Sequence, residues 1–179
     1  TDSESNIVFI AKQNKINQNS LGATDYTHTE NYQINLEKNF YDLHGTNTLF
    51  GAIYTDEALY ELSYGTRFNQ SNSIIEYYAQ SEYLADKTLY NIGARYINHS
   101  IYGGFLTGNI NLGYELSKKI KIIAGIGKSF RSPDGTDLYG YGGNPNLEPE
   151  VKTEWEIGTD LRFLNDDLRF SMTYYSNEI

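Results

Sequence analysis

The stretch Gly108–Leu116, GNINLGYEL, decides the fold because it alternates between two kinds of residue. Ile110, Leu112 and Tyr114 stand at every second position, and asparagine, glycine and glutamate stand between them. A period of two places successive side chains on opposite faces of a β-strand. The stretch therefore predicts a strand with one apolar face and one polar face.

The same alternation recurs along the chain and predicts about nine strands in all. We expect them at about 5–13, 31–40, 47–57, 74–84, 88–98, 105–116, 119–131, 154–164 and 168–176. No segment between them has the length and period of a crossover helix, so neighbouring strands should be antiparallel. Many of these strands are longer than the length of about five or six residues that is usual in a globular sheet.

The connections between the predicted strands form two sets. The short set comprises Tyr41–Thr46, Ala85–Lys87, Ser117–Lys119 and Asn165–Asp167. The longer, polar set comprises Asn14–Asn31, about Asp56–Ser73, Asn98–Gly104 and Ser132–Thr153. The two sets alternate along the chain, which predicts an up-and-down meander with tight turns at one end and extended loops at the other.

The composition favours β structure and limits the expected partners. Tyrosine is abundant, with 17 residues, and proline is rare, with 3 residues, which favours strands over helices. No apolar run reaches the length of about 18 residues that a membrane-spanning helix needs, whereas a membrane-spanning strand needs only about ten alternating residues. The net charge is −9 and the basic residues are scattered, which argues against a nucleic-acid partner.

The cysteine content and the N-terminal sequence each leave two interpretations open. The chain has no cysteine, which is compatible with chance and equally with passage through an oxidising compartment without disulfide bonds. The residues from Thr1 onward are polar and show no signal-peptide pattern. We therefore expect the chain to be either mature or an internal piece of a longer one.

Three features together predict the fold class. The strands are long enough to cross hydrocarbon when tilted, aromatic residues lie near their ends, and short turns stand opposite long loops. We predict an all-β, antiparallel up-and-down transmembrane β-barrel. A soluble antiparallel barrel or an adhesin-like sandwich is the alternative at this point.

Motifs for nucleotide, metal or catalytic chemistry are incomplete in this chain. Gly127–Ser129 is similar to the end of a phosphate-binding loop, but Ile122 stands where that motif needs a glycine. The three histidines lack metal-ligand spacing, and Asp134 with Asp137 matches no calcium-loop pattern. We therefore predict no catalytic residues, no metal and no cofactor, and a protein that is not an enzyme.

The stretch 129–156 contains all 3 prolines of the chain. Its parts SFRSP (129–133), LYGYGGNPNLEPE (138–150) and EWEIG (154–158) resemble the strand–loop–strand signature of TonB-dependent outer-membrane receptors. Within that family the stretch is most similar to the cobalamin receptors. The resemblance extends over roughly residues 74–164 and is weak before them. Trp155 also fits the cobalamin-receptor version.

The resemblance implies a barrel of about 22 strands, plugged by an N-terminal domain and energised by TonB. Residues 1–179 are then expected to be an internal segment of the barrel domain, with the plug and the barrel ends absent. Its expected partners are outer-membrane lipid, a large nutrient ligand, and TonB through the missing plug. The expected function is uptake of a scarce nutrient, cobalamin first, with a siderophore or haem as the alternative. A surface adhesin or a soluble lectin-like protein is the alternative from a different class.

The same resemblance places the candidate ligand residues at the extracellular mouth in the outer membrane. Arg131 is expected on the inner wall, and Asp134, Tyr139, Tyr141 and Asn144 on a loop that folds over the ligand. A tyrosine offers a rigid aromatic face and a hydroxyl, which suits a bulky amphipathic ligand. Loop packing or interface anchoring is the competing interpretation of each tyrosine.

Overall fold

The chain forms one nine-stranded antiparallel sheet in which every strand pairs with its neighbours in sequence. This computed structural model describes residues 2–20, 23–42, 44–163 and 167–179. The strands are β1 (Asp2–Ser20), β2 (Ala23–Tyr41), β3 (Thr46–Ser63), β4 (Thr66–Ala85), β5 (Thr88–His99), β6 (Gly103–Ser117), β7 (Ile120–Arg131), β8 (Glu150–Phe163) and β9 (Leu168–Glu178), with a short helix α1 (Gly135–Tyr139) before β8. None of the helical residues in the described ranges forms a helix long and apolar enough to cross a membrane. The predicted meander of about nine strands is confirmed.

One face of the sheet is apolar and exposed. The register places Ile92, Ile110, Ile126 and Trp155 opposite one another on neighbouring strands, and Ile110 is 44% exposed. We call this face the apolar belt; it comprises Ile7, Phe9, Ile34, Leu36, Phe50, Tyr54, Ile75, Tyr77, Ile92, Tyr96, Leu106, Ile110, Leu112, Ile122, Ile126, Trp155, Ile157, Phe170, Met172 and Tyr174. Exposed apolar surface of this extent requires an apolar medium against it, as the hydrocarbon of a bilayer provides.

The opposite face, which we call the inner face, is polar and connected across strands. The Tyr78 hydroxyl donates to Glu37 Oε1 at 2.7 Å, two strands away. Its ring crosses over Gly51 on β3, where a Cβ would overlap the ring. Arg95 donates to Glu76 at 2.8 Å. Because charged and amide side chains satisfy one another here, this face suits water or another polar surface rather than lipid.

Two of the predicted long loops are wrong, because their residues continue the strands. Residues 14–20 pair with 23–29, and residues 30–31 pair with 12–13, in β1 and β2. Residues 56–63 pair with 66–73 in β3 and β4. Alternation disappears in these stretches because, beyond the belt, both faces of a hairpin meet water. Backbone hydrogen bonds then continue the ladder without any pattern in the side chains.

The other connections agree better with the prediction. The short turns at Asp86–Lys87 and Lys118–Lys119 are confirmed, and Asp42 and Gly45 close the β2–β3 turn, although residue 43 lies outside the described residues. Residues 21–22 and 164–166 also lie outside them, and the latter include 165–166 of the predicted Asn165–Asp167 turn. The Asn98–Gly104 connection shortens to residues 100–102, and the long Ser132–Thr153 excursion is confirmed as residues 132–149.

The end of the sheet that carries residues 132–149 is stepped. β4 pairs with β5 only from Ile74 to Ala85, so its residues 66–73 project beyond the β5–β6 hairpin by roughly 25 Å. β7 stops at Arg131 and β8 resumes at Glu150. The wall therefore steps down from the tall β3–β4 hairpin to the shorter β5–β6 hairpin and the β7–β8 pair.

Candidate functional site

Residues 132–149, which we call the mouth segment, reach from the lower end of β7 to the projecting β3–β4 hairpin. The segment leaves β7, forms α1 and contacts the inner face of the β3–β4 hairpin. The Thr136 hydroxyl donates to Glu61 Oε2 at 2.9 Å across 75 residues of sequence. Gly135 lies so close to the hairpin that a Cβ there would be 2.7 Å from Leu59 Cδ2 and 3.0 Å from Phe68 Cε2. The segment is thus docked on strands other than those it connects.

The mouth segment is ordered internally by Asp134 and Asp137. The Asp134 side chain accepts from the Asp137 backbone N–H at 2.9 Å, and the Asp137 side chain accepts from the Asp134 N–H at 3.2 Å. This reciprocal pair is a capping box at the start of α1. Arg131 lies 3.4 Å from Asp137 and 3.7 Å from Glu150, and so joins both ends of the segment. These ion pairs are exposed and each contributes about 0.2–1 kcal/mol.

Apolar and aromatic contacts complete the docking. Leu138, 3% exposed, is the buried hydrophobic side chain of the described ranges. Tyr139 packs against Phe68 with ring centroids 6.0 Å apart, and Tyr141 packs against Tyr64 at 5.4 Å. Because the belt faces outward, the small apolar core of this sheet lies under the mouth segment rather than between the strands.

The structure places all five sequence-predicted ligand residues at this end of the sheet. Arg131 ends β7 on the inner-face side, and Asp134 caps α1. The Asn144 side-chain oxygen accepts from the Asn146 backbone N–H at 3.0 Å. The backbone N–H of Asn144 donates to the Asp137 carbonyl at 2.9 Å. Tyr139 is 43% exposed and Tyr141 is 74% exposed. The two tyrosines therefore combine loop packing with a free aromatic face, while the other three residues shape the loop.

Sequence reasoning missed the residues that receive the mouth segment. Tyr64 and Gly65 form the two-residue tip of the β3–β4 hairpin with φ values of 48° and 81°, which is the pairing that a tight hairpin turn requires. Tyr64 is unusual at positive φ, where a non-glycine residue costs about 1–2 kcal/mol. Its N–H donates to Asp25 Oδ1 at 3.1 Å. Gly65 is the one signal in the sequence for this turn, because glycine adopts positive φ readily, whereas tyrosine is not a typical turn residue.

A second missed group lies beneath the mouth segment. His99, 2% exposed, ends β5. Its Nδ1 accepts from the Ile101 N–H at 3.2 Å, and its Nε2 lies 3.0 Å from the Asn72 side-chain nitrogen. Glu57 accepts from Asn31 at 2.8 Å and from Asn72 at 3.4 Å. This network holds the β5–β6 turn against the projecting part of β4.

A cavity of about 420 Å³ separates the start of the mouth segment from this network. Its lining includes Thr29, Asn31, Glu57, Asn72, Pro133 and Asp134. A volume of this size is in the range of small-molecule sites, roughly 300–1,000 Å³. The mouth therefore offers a polar cavity on one side of the docked segment and exposed tyrosine rings on it.

Burial shifts the pKa values of His99 and of Tyr102 in the adjoining turn. His99 is the last residue of β5 and lies on the inner face, next to the β5–β6 turn at residues 100–102. Burial lowers the pKa of His99, and the nearby Glu57 carboxylate opposes part of that shift. Burial also raises the pKa of Tyr102 in the adjoining turn, with Tyr139 adding to the shift. Neutral His99 is therefore the form that accepts from the Ile101 N–H.

We expect acid to loosen the β5–β6 turn. A lowered histidine pKa stabilises the fold above the ordinary value of about 6.5, and that contribution is lost as the pH falls through the lowered pKa, at no more than about 1.4 kcal/mol per pH unit. Urea unfolding of the full-length receptor in lipid vesicles should show this loss, and His99→Asn should flatten it. The matched variant His44→Asn, at an exposed position in the β2–β3 turn, should not. An unchanged pH profile in His99→Asn would contradict the prediction.

An outward apolar belt, a polar inner face and a segment docked at one end define a section of transmembrane β-barrel wall with a partly covered mouth. The sequence model of the family described as "TonB dependent receptor-like, beta-barrel" matches residues 4–179. The chain belongs to this family, whose members are transport receptors rather than enzymes.

Solved structures share the fold. The siderophore receptor PirA from Pseudomonas aeruginosa is 24% identical with a TM-score of 0.77, over 96% of this chain and 35% of its own. A variant of the ferric enterobactin receptor PfeA from Pseudomonas aeruginosa is 18% identical with a TM-score of 0.73, over 87% and 27%. The copper transporter OprC is 11% identical with a TM-score of 0.66, over 98% and 35%. The chain thus spans about a third of the length of these proteins.

Trp155 lies on the outer side of the wall, away from the inner face. Trp155 fits the cobalamin-receptor version of the signature, but it lies in the apolar belt, 44% exposed, with its ring 5.4 Å from that of Tyr174. A side chain on the lipid side of the wall does not reach a ligand on the inner side. Trp155 therefore does not distinguish between ligand classes by contact.

Proposed function

We propose that this chain forms part of the wall and mouth of an outer-membrane receptor that takes up a ferric siderophore. In this proposal a plug domain elsewhere in the full-length protein couples the barrel to TonB, and outer-membrane lipid covers the apolar belt. The observation that carries the proposal is the docked, tyrosine-bearing mouth segment on a barrel wall of this receptor family. The structural similarity to PirA and PfeA favours a siderophore as the first ligand class to test.

Tyr139 and Tyr141 are the proposed contact residues. Each ring already packs on one side against the β3–β4 hairpin, so little side-chain entropy remains to be lost on binding. The rest of each ring is exposed, most of all in Tyr141. Arg131, Asp134 and Asn144 belong to the same proposed site and hold the backbone that presents the two rings.

Cobalamin is the second candidate ligand. The observation in its favour is the resemblance of 138–150 to the cobalamin-receptor signature. The corrin ring is broad and amphipathic, so exposed tyrosine rings suit it as well as they suit a siderophore. The geometry of the mouth therefore does not separate the two ligands, and a direct comparison is required.

The test is binding by the full-length receptor, purified in detergent. A ferric catecholate, a ferric trihydroxamate and cyanocobalamin should be titrated under identical conditions by calorimetry. We expect one ferric siderophore to bind and cyanocobalamin not to bind. We also expect Tyr141→Ala to weaken that binding about tenfold, or about 1.4 kcal/mol, while Tyr77→Ala, a belt residue, leaves it unchanged.

The outcomes separate the candidates. Binding of cyanocobalamin without either siderophore would replace the first candidate with the second. Equal loss of binding in Tyr141→Ala and Tyr77→Ala would show a general effect on the barrel rather than a contact at the mouth. Full binding by Tyr141→Ala would remove this residue from the site.

A further inference from the structure

We propose that the mouth segment is a fixed strut between β7 and the β3–β4 hairpin rather than a lid that opens and closes over the ligand. The inference rests on the proposed uptake function for its consequence, but its geometry does not depend on the identity of the ligand. As a strut, residues 132–149 would stay docked on the β3–β4 hairpin while the ligand enters, and would set the width of this side of the mouth.

Opening of the mouth segment would break several independent contacts with the β3–β4 hairpin. Thr136 is hydrogen-bonded to Glu61, which is 5% exposed, and Leu138 is 3% exposed. Tyr139 and Tyr141 pack against two different positions of the hairpin, Phe68 and Tyr64. Segments that open readily have few buried apolar contacts and exposed hydrogen bonds. The mouth segment has the opposite character.

The backbone at Gly135 packs closely against the β3–β4 hairpin. A Cβ at this position would meet Gln70 Oε1 at 2.5 Å and Leu59 Cδ2 at 2.7 Å. The backbone of α1 thus lies directly on the hairpin, with no space for another side chain. Close approach of this kind fixes the separation of two elements, because neither can move inward and outward movement opens a void.

Hydrogen bonds and an ion pair within the mouth segment hold its backbone in one shape. A lid moves about hinge residues that absorb backbone rotation. Here the entry is held by the capping box of Asp134 and Asp137 and by Arg131, and the exit is held by the Asn144 N–H on the Asp137 carbonyl. A Cβ at Gly143 would lie 2.8 Å from the Leu138 carbonyl carbon, so the return of the chain is closely packed as well.

The consequence for transport is a restriction on the route. A ligand that approaches this part of the mouth meets the exposed side of Tyr141, because the opposite side of the segment is occupied by the hairpin. The strut therefore presents its tyrosines at a constant position, and the receptor does not need to order this segment when a ligand arrives.

A disulfide lock in the full-length receptor tests the proposal. Leu59→Cys and Gly135→Cys are the suitable pair, because Leu59→Cys removes the Cδ2 that a Cβ at 135 would meet at 2.7 Å, and Gln70 Oε1 is the end of a side chain that can rotate away. Leu59 Cδ2 is two bonds from its own Cβ, so the two cysteine Cβ atoms are near enough to test for a disulfide. The chain has no cysteine of its own, so this segment adds no competing thiol. We expect the oxidised double variant to bind and import the ferric siderophore within about twofold of the same variant in reductant, a difference of about 0.4 kcal/mol or less.

The opposite results would overturn the strut. Import that is lost on oxidation and restored by reductant would make the segment a lid. Failure of the two cysteines to cross-link in a correctly inserted receptor would show that the segment is not docked in the membrane. If the double variant does not insert, hydrogen exchange of the wild-type receptor without ligand decides: slow exchange in 132–149, comparable to β7 and β8, supports the strut, and fast exchange overturns it.

This design separates the strut from the proposed function. If the wild-type receptor imports no ferric siderophore, the ligand assignment fails, whereas exchange protection and cross-linking still report on the strut. If the wild-type receptor imports it and only the locked receptor does not, the strut fails and the ligand assignment stands.

Discussion

Replacing Ile110 by arginine is expected to destabilise the inserted barrel by about 2–4 kcal/mol. Ile110 lies at the centre of the apolar belt, between Ile92 on β5 and Ile126 on β7. An arginine at this depth places a charge in hydrocarbon, where neither water nor a counter-charge reaches it. Urea unfolding of the full-length receptor in lipid vesicles, followed by tryptophan fluorescence, measures the loss.

The neighbouring residue is the matched control. Asn111 points to the inner face, beside Gly125 and near Glu156. Asn111→Arg introduces the same charge one residue away, but into polar surroundings with a carboxylate in reach, so we expect a change within about 0.5 kcal/mol. Equal destabilisation by the two substitutions would show that both faces meet the same medium, and the membrane-barrel interpretation of the sheet would be wrong.

The second large effect is expected at Leu138. Its truncation to alanine removes buried apolar volume beneath the mouth segment, and substitutions of this kind cost about 2–5 kcal/mol. Because Leu138 belongs to the docked segment and not to the sheet, the cost should fall on docking rather than on the barrel. We therefore expect fast hydrogen exchange in 132–149 with little change in the strands, measured by mass spectrometry on the full-length receptor.

Leu147→Ala serves as the control for that experiment. Leu147 lies in the same segment and is 40% exposed, so its truncation should leave exchange in 132–149 nearly unchanged. Ligand binding should weaken in Leu138→Ala and not in Leu147→Ala, since Tyr139 and Tyr141 are presented by the docked backbone. Unchanged exchange in Leu138→Ala would mean that the polar contacts alone hold the segment.

The two predictions probe the two surfaces that define this molecule. The belt exposes large apolar side chains on the sheet, and a surface of this kind is stable against an apolar medium. The inner face carries cross-strand pairs such as Arg95–Glu76 and the docked segment. A barrel wall of this kind reverses the arrangement of a globular protein, in which the apolar face is packed inside.

Much of the wall was predictable from the sequence. Within the membrane, one face of each strand meets lipid and the other meets a polar interior, so selection for two media produces a period of two in stretches such as Gly108–Leu116. The number of strands, the antiparallel order, the short turns and the 132–149 excursion all follow from that pattern. So does the orientation of Trp155 toward the belt side of β8.

The sequence by itself therefore determined the class of wall, its strand order and the position of the long excursion. The tertiary structure alone decided that 14–20, 23–31, 56–63 and 66–73 are strands, that the mouth segment docks on the β3–β4 hairpin, and that His99 is buried at the end of β5. The physical reason is that periodicity records a difference between two media on the faces of one strand. Beyond the belt both faces meet water, and the contact of Thr136 with Glu61 joins residues 75 positions apart, for which no local pattern exists.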